Sequence, residues 1–316
     1  MRFVWIFLLI VAGVAPRIWG QEDVQRQLYQ FALLERQGQF ASALQGLQPL
    51  AGSGVLSRID QGRAWTLLGY AYKETGQFQL AQAAFEKALN ALQGDTQHLA
   101  DLGNALDFFA AFYQTIGQPQ AAGKMWSKAL DIFQQEKDHR SMAKTYANLA
   151  AVALEQKHIR KAKTLFSRAE AEMTSDLTDD DRAFISDIQG CIDDKTKHTP
   201  EAVDDYERAL EFWKKGHGDE HPFTGWRYLL LGNAYAANGN LDQAVTTMHH
   251  GLTIMDRTAG SQNPRYLSGE IMYARILKKY GKRAEAAQLK AEAIQQLSEI
   301  YHSQCIGCTV STWSLR

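Results

Sequence analysis

Three cysteines in 316 residues are too few to brace a chain of this size, so covalent cross-links are not what holds it together. Six prolines leave long stretches free of helix breakers. Neither sign of charge predominates: 34 Lys and Arg stand against 35 Asp and Glu, for a formal charge of −1. A chain so balanced has no electrostatic footprint for nucleic acid. It also lacks a phosphate-cradling glycine loop and a G-x-S-x-G nucleophile elbow. What remains is ordinary, with 45% hydrophobic and 22% charged residues, the composition of a packed soluble chain.

The one long hydrophobic run lies at the start. Arg2 gives a positive beginning, Phe3 to Ala15 an apolar stretch of 13 residues, Pro16 a break, and Gly20 a small residue before Gln21. This is the pattern of a secretory signal peptide. Thirteen residues fall short of the roughly 20 that a membrane span needs. The expectation is a mature chain that starts at Gln21 and works in the periplasm or outside the cell. Ile18 is a poor residue three before the cut, and an uncleaved leader would act as a membrane anchor. No cysteine near the run suits a lipoprotein, and no later stretch is apolar enough to span a bilayer. Loss of the leader removes Arg2 and Arg17 and takes the net charge to −3.

Internal repetition decides the fold. From Trp65 the chain reads Trp65, Leu68, Gly69, Tyr72, then Gly76, Phe78, Ala81, Phe85 and Ala88. Leu68 and Tyr72 are four apart and share one helix face. Gly76 ends that helix in a conformation glycine adopts freely. Gly69 and Ala81 are small where two helices approach. The small residue of the second helix recurs at Ala43, Ala81, Ala122, Ala162, Ala202, Ala244 and Ala286, at intervals of 38 to 42 residues. Four positions on stands a large one: Leu47, Phe85, Trp126, Phe166, Tyr206, Met248 and finally Lys290. The small position of the first helix holds Phe31, Gly69, Ala110, Ala150, Gly190, Gly232 and Ala274. The first unit (Phe31) and the last (Lys290) depart most, as terminal caps do.

The segment from Trp65 resembles the tetratricopeptide repeat (TPR), whose signature is W-x2-L-G-x2-Y on one helix and A-x3-F on the next. The resemblance implies an all-α, right-handed superhelical α-solenoid of about seven helix-turn-helix units. Their expected bounds are 24–60, 62–100, 103–140, 143–180, 183–222, 224–264 and 266–301, after a leader over 1–20 and before a tail over 302–316. The period of 40 to 42 through most of the array exceeds the usual 34. With the turns Gly218-Asp219-Glu220-His221-Pro222 and Gly260-Ser261-Gln262-Asn263-Pro264, it looks like the kinesin-light-chain variety. In that variety a Gly-x-x-His-Pro turn opens each first helix. Pro222 suits a first helical position, where its missing N–H costs nothing.

Few residues suggest chemistry. Cys305 and Cys308 form a C-x-x-C in the tail, but no βαβ pattern surrounds them as a redox motif requires. Position 309 is Thr rather than the His of haem attachment, and His302 alone does not complete a zinc site. A tail disulfide or two exposed thiols is the plainer expectation. Cys191, on a first helix, reads as a buried or groove-lining thiol. His217 and His221 with Asp219 and Glu220 could be imagined around a metal, yet loop carboxylates before a helix are favoured by its dipole anyway. His249 and His250 are adjacent, so a helix points them about 100° apart. Asp179, Asp180 and Asp181 follow Thr178 as an N-cap and an acidic first turn. Neither a metal, a cofactor nor a catalytic residue is expected, and the chain reads as a non-enzyme.

In the family the first helices line the concave face. Carried across in register, the positions that would face a ligand include Tyr70, Lys73, Gln114, Lys144, Phe184, Asp187, Trp226, Asn233, Arg275, Lys278 and Lys279. The clamp by which co-chaperone members grip a terminal carboxylate would fall on Thr66, Tyr70, Phe108, Lys144 and Asn148, of which only Lys144 agrees. Trp226 and Phe184 are the expected anchors, because buried aromatics dominate binding energy. The function expected is that of an exported adaptor or assembly scaffold that takes an unidentified protein or peptide segment, with no nucleic-acid partner. Two alternatives remain: a non-catalytic subunit regulating an envelope enzyme, and a redox or metal-handling protein acting through Cys305 and Cys308.

Overall fold

The computed structural model describes residues 21–304, and among these every regular element is a helix. The fourteen are α1 (Gln21–Arg36), α2 (Phe40–Gly52), α3 (Arg58–Glu74), α4 (Phe78–Leu92), α5 (Leu99–Thr115), α6 (Pro119–Glu136), α7 (His139–Glu155), α8 (Ile159–Ala171), α9 (Asp179–Lys195), α10 (Thr199–His217), α11 (Pro222–Ala237), α12 (Leu241–Ala259), α13 (Pro264–Lys279) and α14 (Arg283–Gln304). Taken in order they make seven helical hairpins stacked as a right-handed solenoid. The leader over 1–20 and the pair Cys305 and Cys308 lie outside the described residues.

Local signals set the helix ends. Ser57, Asp138 and Thr178 accept backbone N–H groups at the starts of α3, α7 and α9, and Thr178 forms a full capping box with Asp181. Proline stands in the first turn of α6, α10, α11 and α13. Within every hairpin the first helix closes in the same way. The residues at 38, 76, 117, 157, 197, 239 and 281 all take positive φ. Their N–H and the next one bond back to carbonyls of the last helical turn, as Gly76 to Lys73 and Gln77 to Tyr72 do. This is a Schellman cap repeated seven times. Five of the seven are glycine, but units four and five place Lys157 and Lys197 there at φ 62° and 65°.

One size rule packs each hairpin. A small residue on the first helix faces a large one sixteen positions later on the second. A Cβ added to Gly69 would lie 2.7 Å from the Phe85 ring, and one added to Gly232 would lie 2.3 Å from Met248. Ala110 and Ala150 meet the same need opposite Trp126 and Phe166, all four buried. The first hairpin inverts the rule: Phe31 occupies the small position, and Gly46 on α2 lies under its ring. The last abandons it, since Lys290 is exposed. The recurring alanines Ala43, Ala81, Ala122, Ala162, Ala202, Ala244 and Ala286 are all buried.

Two measurements check this account. Phe85→Ala removes a fully buried ring and should cost about 3–5 kcal/mol, with hydrogen exchange rising first in α3 to α6. Lys157→Gly should do the reverse. A non-glycine residue in the left-handed region costs roughly 1–2 kcal/mol, partly offset by the entropy of glycine in the unfolded chain. Chemical denaturation should show a gain of about 0.5–1 kcal/mol.

Candidate functional site

The superhelix meets itself after five units. The turn before α11 sits on the end of α1: His221 donates its Nε2–H to the Arg36 carbonyl at 3.1 Å while its Nδ1 accepts the Phe223 N–H. The turn before α13 repeats this on α3, where Asn263 Nδ2 donates to the Glu74 carbonyl at 2.8 Å and Oδ1 accepts the Arg265 N–H. A third rung comes from α14, whose Tyr301 hydroxyl donates to the Thr115 carbonyl at the end of α5. Arg36, Glu74 and Thr115 hold the same place in three successive units, and their carbonyls are among those a helix end leaves unbonded. Gly38 and Gly76 let the chain approach: a Cβ on either would lie within 3 Å of Pro222 or Pro264. The Arg265 guanidinium adds an ion pair to Glu74 at 3.1 Å, and Leu267, Ile271 and Leu297 share one apolar core with α1 to α5.

This seam turns the concave face into a bore. A cavity of about 480 Å³ lies inside, and its wall takes residues from α3, α5, α7, α9, α11 and α13, the first helices of six consecutive units. Seven of the sequence-predicted residues meet there: Tyr70, Lys73, Gln114, Lys144, Phe184, Asp187 and Trp226. The other four stand apart from the wall. Asn233 and Arg275 are half-buried further along α11 and α13, and Lys278 and Lys279 are exposed in the last turn of α13. Trp213, Phe223, Arg227, Arg265 and Tyr301 also line the cavity. The family register points to other positions on the first helices: Phe223 and Arg227 come from the beginning of α11 and Arg265 from that of α13, while Trp213 comes from α10 and Tyr301 from α14. The Pro222 and Pro264 turns were the available signal, because they begin the helices that carry Arg227 and Arg265.

The wall is charged as well as aromatic. Lys73 and Arg265 both grip Glu74, at 2.5 Å and 3.1 Å. Burial opposes ionisation of Glu74, but Arg265 and Lys73 hold its carboxyl down at about 2. Nearby Glu35 is pushed well up by burial and by the charge of Glu74. Deeper in, Arg227 pairs with Asp187 at 2.8 Å and lies 4.1 Å above the Trp213 ring. Burial lifts Asp187 to about 6, with Arg227 only partly offsetting it. Tyr206 donates to the Cys191 sulfur at 3.1 Å, and burial pushes that thiol up to about 12. A thiol so placed is inert as a nucleophile near neutral pH. The histidines at the end of α10 and in the turn after it are committed to structure: His217 bonds Asp180 at 2.7 Å and stacks on Trp213, and His221 has both nitrogens occupied. Asp181, buried at the start of α9, pairs with Arg140 and Lys144.

The tetratricopeptide-repeat family matches in sequence over residues 62–91, 101–171 and 197–247. The chain is a tetratricopeptide-repeat protein. Its long period and His-Pro turn resemble those of the kinesin-light-chain variety of that family. The apo form of RapI superposes with a TM-score of 0.60 at 14% identity, over 88% of this chain and 99% of that one. A Rap protein complexed with Competence and Sporulation Factor gives 0.55 at 15%, over 89% and 94%. At these identities the likeness is one of fold. Repeats of a kinesin light chain from Podosopora anserina are 23% identical over 66% of this chain and 98% of that one, with a TM-score of 0.46. No curated protein matches the chain.

The seam of this repeat protein has a pH signature. Burial, and then the neighbouring His217, lowers His221 to about 4 from an ordinary 6.5. A histidine depressed in the folded state contributes its stability fully above the unfolded value and loses it as pH falls toward the folded one. The loss should therefore run from about pH 6.5 down to 4 and reach at most about 3 kcal/mol. Asn263 already performs the same double bond one unit later, so His221→Asn should keep near-neutral stability while flattening the acid side of the curve. His221→Ala should lose about 1–3 kcal/mol at pH 7, because a carbonyl and an N–H are both orphaned. Denaturation midpoints between pH 4 and 8 distinguish the three chains.

Proposed function

We propose that this tetratricopeptide-repeat protein is an exported, non-catalytic scaffold that holds a peptide or protein segment inside its bore. The repeat fold is that of a protein-interaction scaffold. The observation that carries the finer reading is the wall itself: six first helices converge on one cavity and bring Tyr70, Phe184 and Trp226 together with buried, paired charges. Among the described residues, no cluster of His, Cys, Asp or Glu is arranged to hold a metal ion, and no helix is long and apolar enough to cross a membrane. The Phe3–Ala15 run and Pro16 support export to the periplasm or beyond. Regulation of an envelope enzyme is the same binding activity with a particular partner. A redox role would fall to Cys305 and Cys308, because the Cys191 thiol is held protonated in the wall.

Trp226 is half-buried, with the Arg265 guanidinium 5.5 Å from its ring. Trp226→Ala should weaken capture of the partner from envelope extracts by about 2 kcal/mol or more, with a much smaller effect on the melting temperature. Unfolding of the array with unchanged affinity in the folded fraction would make Trp226 a packing residue and count against the bore. Export is checked by intact mass after cell fractionation, where an extracytoplasmic chain beginning at Gln21 is expected.

A further inference from the structure

The turn inside each hairpin closes in the same way, so the seven turns are controls for one another. From the positive-φ residue onward, the first three run Gly38 to Leu44, Gly76 to Gln82 and Gly117 to Gly123, and none of these stretches holds a charged side chain. The sixth holds Asp242 alone, and the seventh sets Lys282 and Arg283 beside Glu285. Unit four differs. It places Lys157, Arg160, Lys161 and Lys163 together with no acidic residue among them, and the turn of unit five adds Lys197 against Glu201. All five cations are exposed and join no ion pair among the described residues.

These charges stand where local physics disfavours them. Lys157 and Lys197 take φ of 62° and 65° at the position that glycine fills in the other five units, and a side chain there is strained. Gly239 and Gly281 have open space where a Cβ would stand, so glycine is kept in the array even where a side chain would fit. Arg160 and Lys161 lie in the first turn of α8, at the positive end of its dipole, where acidic residues are the favoured ones. Hairpin geometry alone would put glycine and glutamate at these places. A negatively charged partner accounts for the lysines and the arginine.

The make-up of the patch sets the kind of partner. A protein partner is held chiefly by a few anchors that are desolvated at the centre of the contact, aromatic ones above all. None of the exposed large hydrophobic residues falls between 157 and 163 or between 197 and 203, and Ile159 is packed against the core. A bilayer that carries anionic lipid needs no such anchor. Its field acts on charge alone, and each Lys or Arg at the surface strengthens attachment roughly fivefold. None of the five cations lines the bore, so this surface is independent of the one read there. We propose that the turns leading into α8 and α10 dock the protein on an anionic phospholipid surface through Lys157, Arg160, Lys161, Lys163 and Lys197.

The test is co-sedimentation of the purified full-length chain with vesicles of phosphatidylcholine, either alone or mixed with phosphatidylglycerol. The neutral vesicles measure whatever the apolar run at Phe3–Ala15 contributes. Stronger sedimentation with the anionic vesicles is expected, falling steeply as salt rises. Equal sedimentation with both overturns the proposal. Lys157→Gly combined with Lys197→Gly should raise the denaturation midpoint and yet weaken attachment to anionic vesicles by roughly tenfold or more. Because this variant relieves strain, a loss of binding cannot be a loss of folding. Unchanged attachment removes the two lysines as contacts and overturns the proposal. Lys161→Glu combined with Lys163→Glu reverses two exposed charges on α8 and should weaken attachment further. The last arm offers free polyglutamate in solution. If it binds as tightly as the anionic vesicles at matched charge, the partner is an acidic protein segment and docking on a bilayer falls.

Discussion

The last turn of an α-helix leaves its carbonyls without partners, and the arrangement of this molecule follows from where three of them find donors. Arg36, Glu74 and Thr115 could bond to water. They take His221, Asn263 and Tyr301 instead, 185 to 189 residues away in chain order. That choice fixes the superhelical pitch, since unit six must land on unit one and unit seven on unit two. It also buries Glu74 between Lys73 and Arg265, and it makes a bore of what would otherwise be an open groove.

Much of the fold could be read from the sequence because its rules are local. The nine signature positions from Trp65 to Ala88 specify one hairpin, and the recurring alanine carries the specification along the chain. The size rule between helices needs only residues sixteen apart, and even the departures at Phe31 and Lys290 were visible. The Schellman caps at Lys157 and Lys197 were less so. Lysine there breaks the glycine pattern, and the surrounding hairpin holds it in the left-handed region.

The seam could not be read in this way. His221-Pro222 and Asn263-Pro264 present themselves as turns that start helices, which they are. Nothing within twenty residues of either says that the same side chain reaches a carbonyl five units back. The make-up of the cavity wall was legible only in part for the same reason. A register carried from single helices finds Tyr70, Lys144 and Trp226. It has no means of finding Trp213 on a second helix, Tyr301 on the last one, or the paired role of Arg227. The positions it adds at Asn233, Arg275, Lys278 and Lys279 lie outside the cavity wall.

Solenoids ordinarily behave as one-dimensional arrays, in which each unit is stabilised by its neighbours alone and end units fray first. Here units one and two are clamped by units six and seven, so the usual fraying ends are tied together. Contacts across some 185 residues raise the contact order far above that of an open repeat array, and long loops pay their closure entropy before such contacts reward it. The hairpins can therefore assemble quickly along the chain while the circle closes late. A truncation at either end does more than shorten this array. It removes the far half of a joint and returns the remaining units to the behaviour of an open ribbon.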